Sequence, residues 1–117
     1  MIKIIPVNTK QLQRQFVEFQ YELYQACPHF VPPIKSDIYA MMNPKKHPFY
    51  DHSEADFFLA MDDERRVGRI AALMNKPFNA YHQSTDAEFY LFDLIDNQEV
   101  ANALLDRVAE WARERGM

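Results

Sequence analysis

The chain has 117 residues, 48% hydrophobic and 26% charged, the balance of one small domain with a modest core. Its formal net charge is −4 and its basic runs stop at the pairs Lys45-Lys46 and Arg65-Arg66, which excludes an electrostatic footprint for nucleic acid. With only Gly68 and Gly116 no Gly-rich phosphate loop can be written, and the single Cys27 excludes an internal disulfide or a Cys-rich zinc site.

No segment approaches the roughly 20 apolar residues of a membrane span, the longest run being Phe57 to Met61. The apolar start, Ile4 to Val7, is broken by Pro6 and Asn8 and is too short for a signal peptide. A lone cysteine beside six methionines suits a reducing interior, so the expected location is the cytoplasm, with no membrane partner.

In chain order, Met1 to Val7 predicts a short strand, and Asn8-Thr9 can cap the helix that follows. That helix carries Leu12, Phe16, Phe19 and Leu23 on one stripe and ends before Pro28. Residues Cys27 to Pro33 hold three prolines and are expected to be extended, because each proline also turns its predecessor away from helix. Ser36 offers a cap for one or two turns through Met42, and Phe30, Phe49 and Tyr50 should pin the Pro-rich connection. Ala55–Met61 and Arg66–Met74 predict a hairpin around Asp62 to Arg65, with Gly68 at a bulge or beneath a packed neighbour. Asn75 to Asp86 is expected to be a polar loop. Glu88 to Ile95 predicts a strand covered on both faces, apolar except for Asp93, and a last helix runs from a cap at Asp96-Asn97 to Gly116. The order is β-α-α-β-β-β-α, in a single domain over 1–117.

Candidate chemistry is sparse. Cys27 and His29 stand two apart around a proline with no orienting third group, so no nucleophilic role is expected of them, and His47, Asp51, His52 and Glu54 lack a secured metal spacing, so that stretch is expected to be a solvated loop capping the hairpin. Asp62-Asp63-Glu64 has no calcium-loop ladder and reads as a turn. Trp111 falls on the apolar stripe of its helix and belongs to the core. Glu54, Asp93 and His82 are each eligible as a general base, and the choice rests on geometry.

The hairpin from Phe58 to Ala72, with its Val67-Gly68 pair, and this element order resemble the first half of the GNAT (acyl-CoA N-acyltransferase) fold. More narrowly, Pro28-His29-Phe30-Val31-Pro32-Pro33, Asn43 to Phe49, Val67 to Ala72, Asn79-Ala80-Tyr81-His82 and Glu110 to Met117 are similar to a bacterial GNAT-like family. The resemblance implies an α+β fold: a mostly antiparallel four-stranded sheet with helices on both faces, half of the GNAT domain. It also implies a cofactor wedge, with acetyl-CoA paired along the fourth strand and its pyrophosphate on the turn that opens the next helix.

Carried onto this chain, the wedge falls on Leu94 and Ile95 at the strand end and on Ala101, the one small residue kept from the Gly-rich signature. Asp96 and Glu99 put negative charge where phosphate would sit, so no cofactor is expected for this chain, and acetyl-CoA or another acyl-CoA belongs to longer relatives. The resemblance implies further strands beyond Met117, and the chain is therefore read as the N-terminal portion of a GNAT-like protein. By itself it is expected to be a noncatalytic structural or interaction module, with CoA-dependent acyl transfer as the alternative once the missing half or a partner completes it. Without a fifth strand, the edge from Glu88 to Ile95 would expose unpaired backbone groups guarded only by Asp93, which predicts a homodimer through that edge.

Overall fold

The computed structural model describes residues 1–31, 33–45 and 47–117. The elements are β1 (Ile2–Pro6), α1 (Lys10–Tyr24), α2 (Lys35–Met42), a 3-10 turn over Pro48–Asp51, β2 (Glu54–Asp62), β3 (Arg65–Met74), α3 (Lys76–His82), β4 (Glu88–Leu94) and α4 (Gln98–Glu114). The fold is α+β, an open four-stranded sheet in the order β1-β2-β3-β4. Every neighbouring pair is antiparallel, so the sheet is wholly rather than mostly antiparallel.

Local chemistry accounts for most boundaries. Thr9 is the N-cap of α1, its hydroxyl accepting from the Leu12 N–H at 3.1 Å. The β2–β3 hairpin turns on Asp63-Glu64, with Asp63 at φ 55, a left-handed position that aspartate tolerates. Pro6 sits in β1, an edge strand, where a missing N–H costs little.

Three local expectations are corrected. Residues 76–82 form α3 instead of a loop: Asn75 caps it through the Phe78 N–H at 3.0 Å, Pro77 fits its first turn, and Gln83 ends it at φ 52. Ser36 is inside α2 and not its cap, since the helix starts one residue earlier, at Lys35, without a side-chain cap. The segment after α1 turns rather than runs extended, with Cys27 N–H on Tyr24 C=O and Phe30 N–H on Cys27 C=O. Pro32, part of that expectation, lies outside the described residues. Phe30 does pin the segment, against Tyr24 at 5.1 Å and Tyr21 at 6.2 Å between ring centroids.

Two hydrophobic layers sandwich the sheet, so helices cover both faces. On one, Val100, Leu104, Val108 and Trp111 of α4 pack on Phe58, Ala60, Val67, Ile70, Ala72 and Met74. On the other, Phe16 and Val17 of α1 and Ile38 and Met42 of α2 pack on Phe57, Leu59 and Ala71. Alternation along the strands sends successive residues to opposite layers, as a doubly covered sheet requires. Gly68 meets both readings made of it: the β2–β3 register shifts beside it, and it lies directly under α4. No helix among the described residues is long and apolar enough to cross a membrane.

Candidate functional site

β4 is the outer strand, and no strand among the described residues pairs with its far side. Its ladder is irregular: Arg69 faces Asp93 while Ala71 faces Tyr90, so β4 spends one residue more than β3 between those pairs. Leu91 absorbs the extra residue at φ 51, a left-handed conformation that costs a leucine energy and that the surrounding packing must hold in place. The bulge breaks the regular alternation of outward N–H and C=O groups and bends the strand there.

Beneath the bulge lies a buried polar cluster. The Arg69 side chain is 1% exposed, and its Nε donates to Asp93 Oδ2 at 3.0 Å while Nη1 donates to the Phe16 carbonyl at 3.1 Å. Nη2 lies 2.9 Å from the same Asp93 oxygen, an ion-pair contact without hydrogen-bond alignment. Tyr24 donates to Asp93 Oδ1 at 2.9 Å, and Gln20 Nε2 approaches Oδ2 at 3.4 Å. The Phe16 ring lies against the guanidinium at 4.9 Å. The Tyr24 hydroxyl is pushed above its ordinary range, first by its bond to Asp93, and burial lowers the Arg69 pKa against the pull of Asp93. The cluster clamps α1 to the edge strand. Asp93 therefore points into the α1 layer and is no guard of the edge, its carboxylate being taken up by Arg69, Tyr24 and Gln20.

Directly after Asp93, at the C-terminal end of β4, the structure brings Leu94, Ile95 and Ala101 together around one depression of about 270 Å³, shared with Asp96, Asn97 and Gln98. The Ile95 N–H still pairs with the Val67 carbonyl at 3.0 Å. The first turn of α4 is closed on itself: Asn97 Oδ1 accepts from the Glu99 N–H at 2.9 Å, and Glu99 places a carboxylate at the positive end of the helix.

The remaining candidates scatter. Glu54 Oε2 accepts from Arg115 Nε at 2.7 Å, and Asp56 Oδ2 accepts from Trp111 Nε1 at 2.7 Å, so the carboxylates beside a groove of about 470 Å³ are already engaged. That indole bond satisfies Trp111, whose residue is core as expected. His82 is exposed on α3 with its ring 4.3 Å from that of Phe78. Cys27 and His29 are both exposed. His47 is half-buried rather than solvated, and its Nδ1 accepts the Phe49 N–H at 3.2 Å as a cap on the 3-10 turn. No group of three metal-ligating side chains converges among the described residues.

Sequence reasoning missed the Arg69–Asp93 pair. Its signal was present: Arg69 and Asp93 are the single charges within the apolar stretches Val67 to Met74 and Phe89 to Leu94 of two neighbouring strands. It also missed a small cavity of about 200 Å³ on the α2 side of β4, lined by Met41, His47, Phe49, Leu73 and Tyr90, where burial pushes the Tyr90 hydroxyl above its usual range.

A bacterial ceramide synthase from Caulobacter vibrioides is 29% identical over 116 residues, covering 98% of this chain and 30% of that protein. The chain thus spans about 30% of the length of the relative it matches. No family model and no solved structure matches the chain.

Proposed function

We propose that this chain is one part of a GNAT-like acyltransferase acting on a lipid amine, and that by itself it is a noncatalytic structural and interaction module. The observation that carries the reading is the match, along 98% of the chain, to a protein named for making ceramide. Ceramide is by its chemistry an amide of a long-chain amino alcohol, so its synthesis joins an acyl group to an amine. An acyl thioester supplies that bond directly: the amine nitrogen attacks the carbonyl carbon, the C–S bond breaks, and the nitrogen loses a proton.

The open edge of β4 supports the reading. From Tyr90 to Ile95 the edge runs roughly 15 Å at about 3.3 Å per residue, which suits an extended pantetheine arm whose amides need donors and acceptors. The depression at Leu94, Ile95 and Ala101 adjoins the end of that edge. A regular strand would compete poorly for this edge, because the bulge at Leu91 interrupts the run of partners. For that reason we place the acyl donor there in preference to a second copy pairing through Glu88 to Ile95.

Two features support a noncatalytic role for the chain alone. Asp96, Glu99 and the cap from Asn97 oppose a pyrophosphate at the start of α4. Of the three side chains eligible as general base, Glu54 and Asp93 are held by arginines and His82 is exposed on α3.

The test is amide formation from a long-chain acyl-CoA and a long-chain amino alcohol, followed by mass spectrometry. The chain alone is expected to form no amide and to bind acetyl-CoA more weakly than about 10 μM. A joined protein, in which this chain replaces the matching stretch of the Caulobacter relative, is expected to form amide. A folded joined protein without activity, or turnover by the chain alone, contradicts the proposal.

A further inference from the structure

The cavity beside β4 has walls that are already fixed. The Tyr50 hydroxyl donates to the Met41 carbonyl at 2.9 Å, holding the end of α2. His47 is fixed by its bond to the Phe49 N–H, and its ring stands edge-on to Phe49 and Tyr50 at 6.5 and 6.3 Å. Leu73 and Tyr90 come from adjacent strands, diagonal to one another across the β3–β4 ladder, and form the floor. At about 200 Å³ the cavity holds a chain of about seven methylenes, counting each as a water-sized group of about 30 Å³.

Its lining is apolar apart from two groups. The Tyr90 hydroxyl makes no hydrogen bond to any described residue, although the side chain is more than half buried. In the neutral His47 ring, Nδ1 accepts from the backbone, so the proton resides on Nε2. A preformed apolar pocket with a few convergent polar groups is the form a small-molecule site takes.

We infer that this cavity takes the first part of the alkyl chain of a long-chain amine, with the amine head at the Tyr90 hydroxyl. The inference rests on the acyltransferase reading for its choice of substrate, and it places the nucleophile on the β4 residue next to the Leu91 bulge. A formal net charge of −4 favours a cationic head over a carboxylate. Glu88, opposite Leu73 in the ladder, adds to that preference.

The experiment is an amide-resonance NMR titration of the 117-residue chain with decylamine, decanoate and decanol, each below its micelle concentration. Decylamine is expected to saturate with shifts centred on Met41, Leu73 and Tyr90, and decanoate to bind at least about tenfold more weakly. Leu73→Trp fills the cavity and should weaken decylamine by at least about tenfold, whereas Phe49→Ala enlarges it and should shift the preference toward dodecylamine. Tyr90→Phe should weaken decylamine and leave decanol less affected. Should Leu73→Trp fail to fold, the Phe49→Ala chain-length shift decides the question. Saturable shifts elsewhere, equal affinity for decanoate, or an unchanged length preference in Phe49→Ala overturns the inference. This readout needs no acyl transfer. Loss of decylamine binding with an active joined protein removes the cavity alone, and saturable binding with an inactive joined protein removes the acyltransferase reading.

Discussion

Replacing Asp93 by alanine is expected to destabilise the protein by about 3–5 kcal/mol, the cost of leaving a buried charge without its partner. Asp93 carries two side-chain bonds at 3.0 Å or less, from Arg69 Nε and from Tyr24. Its loss strands a guanidinium that is 1% exposed, with only the Phe16 carbonyl and ring to receive it. Tyr24→Phe removes one neutral donor and should cost only about 1 kcal/mol. The double change Arg69→Met with Asp93→Leu should recover most of the loss, because two apolar side chains leave no charge unpaired. Urea melts read all three. A loss below about 1 kcal/mol in Asp93→Ala, the scale of an exposed ion pair, would mean that the cluster is open to solvent.

Gly68→Val should cost about 3 kcal/mol, for a reason of space rather than backbone angle. A Cβ at this position would stand 2.8 Å from Leu104 Cδ1, 2.9 Å from Val100 Cγ1 and 3.3 Å from Leu94 Cβ. Leu104 and Val100 are fully buried, so neither can swing into solvent to make room. Gly68→Ala already meets these contacts and should cost about 1–2 kcal/mol. The absence of a side chain lets α4 approach the sheet, and that approach sets where the turn from Leu94 to Asn97 emerges beside β4. A variant within about 0.5 kcal/mol of the natural chain would show that α4 sits farther from β3 than these contact distances place it.

How far the fold was legible follows from how local its signals are. The hairpin, the Thr9 cap and the long stripes of α1 and α4 each rest on several agreeing residues, and all are found where expected. α3 was missed because seven residues give too short a stripe to weigh against Pro77, although Asn75 and Pro77 are themselves a helix start. The bulge at Leu91 has no sequence mark at all, since leucine is among the last residues expected at positive φ, and it is imposed by packing. In the sequence Asp93 looks like a guard of the edge, because a strand pattern shows which face a residue takes and not what stands opposite. Its partner, Arg69, lay one strand away in the ladder. The cavity near Tyr90 joins residues from α2, the 3-10 turn and two strands, a convergence that no single segment announces.

The most direct measurement of the central claim is hydrogen exchange along β4 in the joined protein, with and without a long-chain acyl-CoA. If the β4 edge is one wall of the acyl-donor site, its outward amides between Tyr90 and Ile95 should exchange at least about tenfold more slowly with the donor bound, while the β1 edge stays unchanged. Donor binding that protects other segments and leaves β4 untouched would contradict the account.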